Sequence, residues 1–166
     1  MSSIPIQKIR REEDAPPALW QSMQSILDEI QKRAFELFHQ RGGVLGWDLD
    51  DWLRAERQLI WSPQSELVER EKEYELRLAV PGLDAKDLEI TAMPDSIFVQ
   101  GQAARRRETK EGEIRFSEFT QEKLFRRFQL PGLIDVDKVT AALDKGILQV
   151  TAPKEAAAKK KRITVA

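Results

Sequence analysis

The hydrophobic positions of this chain follow one period up to about residue 60 and another beyond it. Between Pro17 and Ile60 apolar side chains recur every three or four residues: Leu19, Met23, Ile26, Leu27 and Ile30, continued by Ala34, Phe35, Leu37 and Phe38. That spacing lays them along one side of a helix. Gly42-Gly43 predicts its end. A second helix is expected from about Asp48, where Asp48, Asp50 and Asp51 suit the positive end of a helix dipole. It carries Leu49, Trp52, Leu53, Leu59 and Ile60 and stops at Pro63.

From Ser65 the period drops to two. Glu75 to Val80 alternates and runs into the turn signal Pro81-Gly82, and Leu88 to Thr91 alternates and stops at Pro94-Asp95. Ile97 and Val99 mark another strand, closed by Gly101. Strand character returns at Leu124 to Leu130, before Pro131-Gly132. Val139 to Leu143 and Ile147 to Thr151 flank Lys145-Gly146 as a tight hairpin. Many short strands at close spacing predict an all-β, immunoglobulin-like antiparallel sandwich. Three segments follow: a helical amino-terminal arm over 1–61, the sandwich over 62–153, and a carboxy-terminal extension over 154–166.

Two stretches break the pattern. Ala103 to Glu122 is strongly charged, with only Ile114, Phe116 and Phe119 as large apolar residues, and is long for a structureless connection in a compact domain. Lys154 to Arg162 reads as a solvated spacer, yet it leads to the apolar pair of Ile163-Thr164-Val165, which has no local core to join.

Composition removes whole classes of chemistry. The 166 residues contain no cysteine and a single histidine, so disulfides, thiolate catalysis, zinc–sulfur sites and histidine clusters are excluded. His39, at the end of a helix, reads as a surface residue. A net charge of -1 supplies no field to draw in nucleic acid or an anionic membrane. No run of roughly 18 to 20 apolar residues spans a bilayer, and Met1 to Arg11 does not read as a secretory signal. A cytoplasmic protein is expected. No Gly-x-x-x-x-Gly-Lys loop is present to hold ATP phosphates. No cofactor, metal or catalytic residue is assigned, and an enzyme is not expected.

The run Ala141-Ala142-Leu143-Asp144-Lys145-Gly146-Ile147-Leu148, an Ala followed five residues later by Gly, hydrophobe and Leu, resembles the signature of alpha-crystallin domains. Pro81-Gly82, the strand Leu124 to Pro131 and the tail Ile163-Thr164-Val165 match the same family in the same order. By resemblance, then, the chain is similar to a small heat-shock protein. The segment from Arg33 to Leu59 is also similar to a short helical module of unknown function from bacterial proteins.

The resemblance implies an ATP-independent chaperone that holds unfolding proteins and works as a homo-oligomer built from dimers. It implies that part of the charged loop, with Ile114, Phe116 and Phe119, pairs with a neighbouring subunit; Arg126 matches a family arginine near that interface. A plain surface loop and a plain surface arginine are the bland alternatives. It further implies that Ile163 and Val165 dock on another dimer, in a groove lined by Leu88, Ile90, Val139, Ala141 and Leu143. The spacer reaches roughly 30 Å when extended, and such docking is effective through multivalency. Trp20, Met23, Ile26, Phe35, Phe38, Trp52 and Trp61 are the candidate client-binding surface. The same stripe equally fits the core of a helical hairpin or an oligomer interface. Two rivals stand beside this reading: a monomeric co-chaperone-like adaptor on the same sandwich, and a nucleic-acid or membrane-surface role for Lys159 to Arg162. The second is weakened by the shortness of the basic cluster and its lack of interleaved aromatics.

Overall fold

The computed structural model describes residues 1–104, 111–118 and 121–156. They form two compact units. The first comprises residues 1–14, 63–99 and 127 onward; the second comprises 15–62 and 100–126.

The first unit is the sandwich. One sheet has five strands in the order β1 (Ser2–Ser3), β8 (Thr140–Asp144), β9 (Ile147–Pro153), β4 (Glu73–Ala79) and β3 (Ser65–Glu69), every neighbouring pair antiparallel. The other has the order β2 (Ile6–Lys8), β5 (Leu88–Met93), β6 (Ser96–Ala104) and β7 (Gln121–Gln129). The far halves of β6 and β7 belong to the second unit. The period of two does what it predicts: along β4, Tyr74, Leu76 and Leu78 are buried while Arg77 is exposed, and along β9 Leu148, Val150 and Ala152 are buried. Phe98, Ile90, Ile97, Val80 and Val99 are among the other large side chains that are fully buried.

Two turns lock this unit. Lys145 and Gly146 connect β8 and β9 with φ of 49° and 78°. Positive φ at both central residues makes a type I′ hairpin, whose twist matches that of the strands it joins. At Val80–Leu83 the Leu83 amide donates to the Val80 carbonyl at 3.2 Å, and Gly82 has φ 84°, as a type II turn with Pro81 requires. The turns touch: the Val80 amide donates to the Gly146 carbonyl at 2.7 Å.

The second unit is built on a helical hairpin, α1 (Pro17–Gln40) and α2 (Asp48–Leu59). Pro17 opens α1 at a position whose amide needs no helical partner. Gly42 and Gly43 close it: their amides donate to the His39 and Phe38 carbonyls, both at 3.0 Å, satisfying two carbonyls the helix would leave open. Ile30, Leu37 and Ala55 form the core, with Ile26, Ala34, Trp52, Leu59 and Ile60 packed against them. Lys123, at the start of β7, pairs with Glu29 of α1 at 2.6 Å.

The first fourteen residues differ from expectation. The sequence places them with the helical arm, but they supply β1 and β2 to the two sheets of the sandwich. Their partners lie far away in sequence, so no local periodicity announces them.

Candidate functional site

The edges of the two sheets form the first candidate site. Without residues 2–8, β8 would be the edge of one sheet and β5 the edge of the other. Edge strands present unpaired amides and carbonyls, a template for another strand. The five residues expected to line a docking groove, Leu88, Ile90, Val139, Ala141 and Leu143, all lie on or beside these edges and all are buried. The amino-terminal segment runs along both edges. Ser2 and Ser3 pair antiparallel with Leu143 and Ala142, and the Ile4 amide donates to the Ala141 carbonyl at 3.0 Å. Ile6, Gln7 and Lys8 pair in parallel with Ile90, Thr91 and Ala92. Ile4 is 3 % exposed, Ile9 is buried and Ile6 half-buried. Ala141, the small residue of the hairpin signature, is therefore where an incoming backbone approaches. Gly146 makes the turn, and Leu148 and Ile147 follow it, one buried and the other half-buried.

Ile163 and Val165, the expected occupants of that groove, lie outside the described residues, as does Phe119. Residues 111–118 have no regular secondary structure, and Ile114 and Phe116 are exposed, Phe116 by 80 %. Arg126 is half-buried within β7.

The helical hairpin is the second candidate site, and it divides the expected client-binding residues. Ile26 and Trp52 pack in the hairpin core. Met23, Phe38 and Trp61 are half-buried. Trp61 helps line a cavity of about 580 Å³ with Leu53, Ile60 and Arg57. Trp20 and Phe35 are exposed, Phe35 by 61 %, and so is Leu27. Steps of seven and eight residues between these three keep them within about 80° of one another around α1. The apolar stripe of α1 is thus wider than α2 covers.

The turn between the helices adds residues that periodicity did not single out. Val44, Leu45 and Trp47 are all exposed, Leu45 by 79 %, and so is Leu49 in the first turn of α2. A loop flanked by glycines offers no period to read, but three large apolar residues within four positions of a turn were a usable signal. Contiguous apolar exposure of this kind marks interaction surfaces. His39 is exposed and stands edge-on to Phe35, ring centroids 4.4 Å apart.

A partly buried ion pair ties that turn to α2. The Arg41 guanidinium grips Asp51 at both oxygens, Nε to Oδ1 at 3.0 Å and Nη2 to Oδ2 at 2.7 Å, and also donates to the Val44 carbonyl. It lies 5.2 Å from the Phe38 ring centroid. These hydrogen bonds hold the Asp51 carboxyl below the usual carboxylate range and raise Arg41 further. One acid of the α2 amino terminus is thus committed to tying the two helices, besides its favourable place at the helix dipole. Elsewhere, Lys154 pairs with Glu69 at 2.7 Å and lies 5.0 Å from the Tyr74 ring, lowering the Glu69 carboxyl. Among the described residues no group of three or more His, Asp or Glu stands together to hold a metal, and no helix is long and apolar enough to cross a membrane.

Comparison with known proteins agrees with this arrangement. The profile described as "Protein of unknown function (DUF2934)" matches residues 27–59, most of the helical hairpin. Spore protein SP21 of Stigmatella aurantiaca is 34% identical over 145 residues, covering 81% of this chain and 83% of that protein. Among solved structures, heat shock protein 16.0 from Schizosaccharomyces pombe superposes with a TM-score of 0.54 at 28% identity, over 64% of this chain and 99% of that one. A small heat-shock protein from Xylella fastidiosa gives 0.51 at 29% identity, over 64% and 97%. The Hsp20/alpha crystallin family profile matches residues 66–166. With its signature hairpin and paired sheets in place, the chain belongs to the Hsp20/alpha-crystallin family of small heat-shock proteins, which are ATP-independent chaperones and not enzymes.

Proposed function

We propose that this protein is a holdase that binds unfolding proteins, keeps them from aggregating, and acts as a homo-oligomer assembled from dimers. The observation that carries the reading is the exposed apolar surface of the helical hairpin: Trp20, Leu27 and Phe35 on α1, continued by Leu45, Trp47 and Leu49 at the turn. Such a surface is costly in water. Unfolding chains expose apolar segments of many shapes, and side chains on a short helical hairpin meet them without demanding a particular sequence. Binding holds clients soluble by mass action and requires no nucleotide.

Assembly uses two further features. Ile114 and Phe116 alternate in an exposed segment and suit strand pairing across a dimer, with Arg126 near the same interface. Ile163 and Val165 then link dimers through the groove of Leu88, Ile90, Val139, Ala141 and Leu143. The cytoplasm is the expected site of action.

The test is light scattering from a heat-unfolded test enzyme, without ATP, over increasing amounts of the protein. Suppression near stoichiometric amounts is expected, with a marked loss in the variant carrying Phe35→Ser, Leu45→Ser and Trp47→Ser. No suppression by the native chain at any temperature tried would sink the holdase reading and point to an adaptor with one specific partner. Full suppression by the triple variant would move client binding off the hairpin.

A further inference from the structure

The sandwich groove is already filled by a segment of the chain that resembles its proposed ligand. Ile4-Pro5-Ile6 and Ile163-Thr164-Val165 share one pattern: a β-branched apolar residue, a spacer, and a second β-branched apolar residue. The first of them bridges the groove. Ser2 and Ser3 extend the sheet at β8, Pro5 crosses over, and Ile6 to Lys8 extend the other sheet at β5. Pro5 has no amide to lose at that crossing. Ile4 and Ile9 are buried on the sandwich, and the Ile9 amide donates to the Ala92 carbonyl at 2.9 Å.

We propose that residues 2–9 are an exchangeable plug of the groove, and that the carboxy-terminal Ile163-Thr164-Val165 of a neighbouring subunit enters only when the plug leaves. The inference rests on the tail-docking part of the proposed function and adds a competition to it. Both segments require the same edges: the Ala141 carbonyl on β8 accepts from the Ile4 amide, and Ile90 on β5 pairs with Ile6, so neither is available to a second strand.

The plug is built to leave. Its pairing is short: Ser2 and Ser3, both exposed, with the Ile4 amide on β8, and three residues with the Ile9 amide on β5. Its charged anchors are solvent-facing: Lys8 Nζ donates to the Asp137 carbonyl at 2.6 Å, and Arg10 meets the Asp137 carboxylate at 3.1 Å with both side chains more than half exposed. Exposed pairs of this kind hold weakly. The apparent affinity for the tail is then the intrinsic one reduced by the fraction of open grooves.

The test uses the full chain with Ile163→Ala and Val165→Ala, so that its own tail does not compete, and a fluorescent peptide of residues 154–166 read by anisotropy. Two variants bracket the plug. Ile4→Ser with Ile6→Ser opens it. Ser3→Cys with Ala142→Cys clamps it, because these residues are Cα partners in a non-hydrogen-bonded antiparallel pair, about 4.5 Å apart, within disulfide reach. The chain has no other cysteine. The opened variant should bind the peptide about tenfold more tightly than its parent, and the oxidised clamp at least tenfold more weakly than the same protein reduced. Equal binding by oxidised and reduced clamp, or an opened variant no tighter than its parent, overturns the plug. The aggregation assay on the native chain stands apart from this: suppression there with no plug effect here leaves the holdase reading intact.

Discussion

Gly146 and Gly82 form a matched pair on which the packing at the signature hairpin is measurable. Both have positive φ, 78° and 84°. Alanine at either position must take the left-handed region, at a cost of about 1–2 kcal/mol. They differ in what the new methyl meets. At Gly82 nothing lies within 4 Å; at Gly146 the added Cβ comes to 3.3 Å from the Pro81 Cα. Pro81 has little room to yield. Its ring fixes its φ, and the neighbouring Val80 amide is held to the Gly146 carbonyl at 2.7 Å. Crowding a packed site adds about 1–3 kcal/mol. Gly82→Ala should therefore lose about 1–2 kcal/mol and Gly146→Ala about 2–4 kcal/mol. Urea unfolding followed by far-ultraviolet circular dichroism measures both, at one protein concentration so that assembly enters each alike. Equal losses, or a smaller loss at Gly146, would refute the steric reasoning.

Other outcomes follow from the same structure. Leu37→Ala empties the centre of the hairpin core and should destabilise the helical unit by about 2–5 kcal/mol, seen as faster limited proteolysis between α1 and α2; an unchanged cleavage rate would show that α2 does not depend on that core. The Asp51 carboxyl is held low by Arg41, so its contribution to stability is complete above the unfolded carboxylate pKa, about 4, and is lost as pH falls through the lower folded value. Tryptophan emission should accordingly stay level from about pH 7 to 5 and change below about 4, and Asp51→Asn should abolish that acid step; the same step in the variant assigns it to another group. Ile163→Ala with Val165→Ala should reduce particle mass on dilution, measured by multi-angle light scattering, and an unchanged mass would exclude the tail as a link between dimers.

Much of the fold was legible because it rests on local rules. Alternation along Glu75 to Val80 and Ile147 to Thr151 marks strands whose alternate residues are buried, and β4 and β9 are where it predicts them. Pro17, Gly42-Gly43 and the acids from Asp48 bound α1 and α2 almost to the residue. The candidate client surface was only half legible. A three- and four-residue stripe says which residues share a side of a helix, but not how wide a strip the partner covers. Ile26 and Trp52 went into the core, Phe35 and Trp20 stayed out, and Leu45 and Trp47 lay in a turn without a period.

What the sequence determined by itself, then, is the material: a helical hairpin, a sandwich with a signature turn at Lys145-Gly146, and an apolar-x-apolar tail available to bind an edge. Each follows from neighbours within a few residues, where sterics, turn chemistry and side-chain period act. Only the tertiary structure decided which groups meet. The pairing of Arg41 with Asp51, the exposure of Phe35, and the seating of Ile4 against Ala141 join residues 10 to more than 100 positions apart. Strand edges accept any extended segment that reaches them, so which one fills the groove depends on where the folded chain brings its ends.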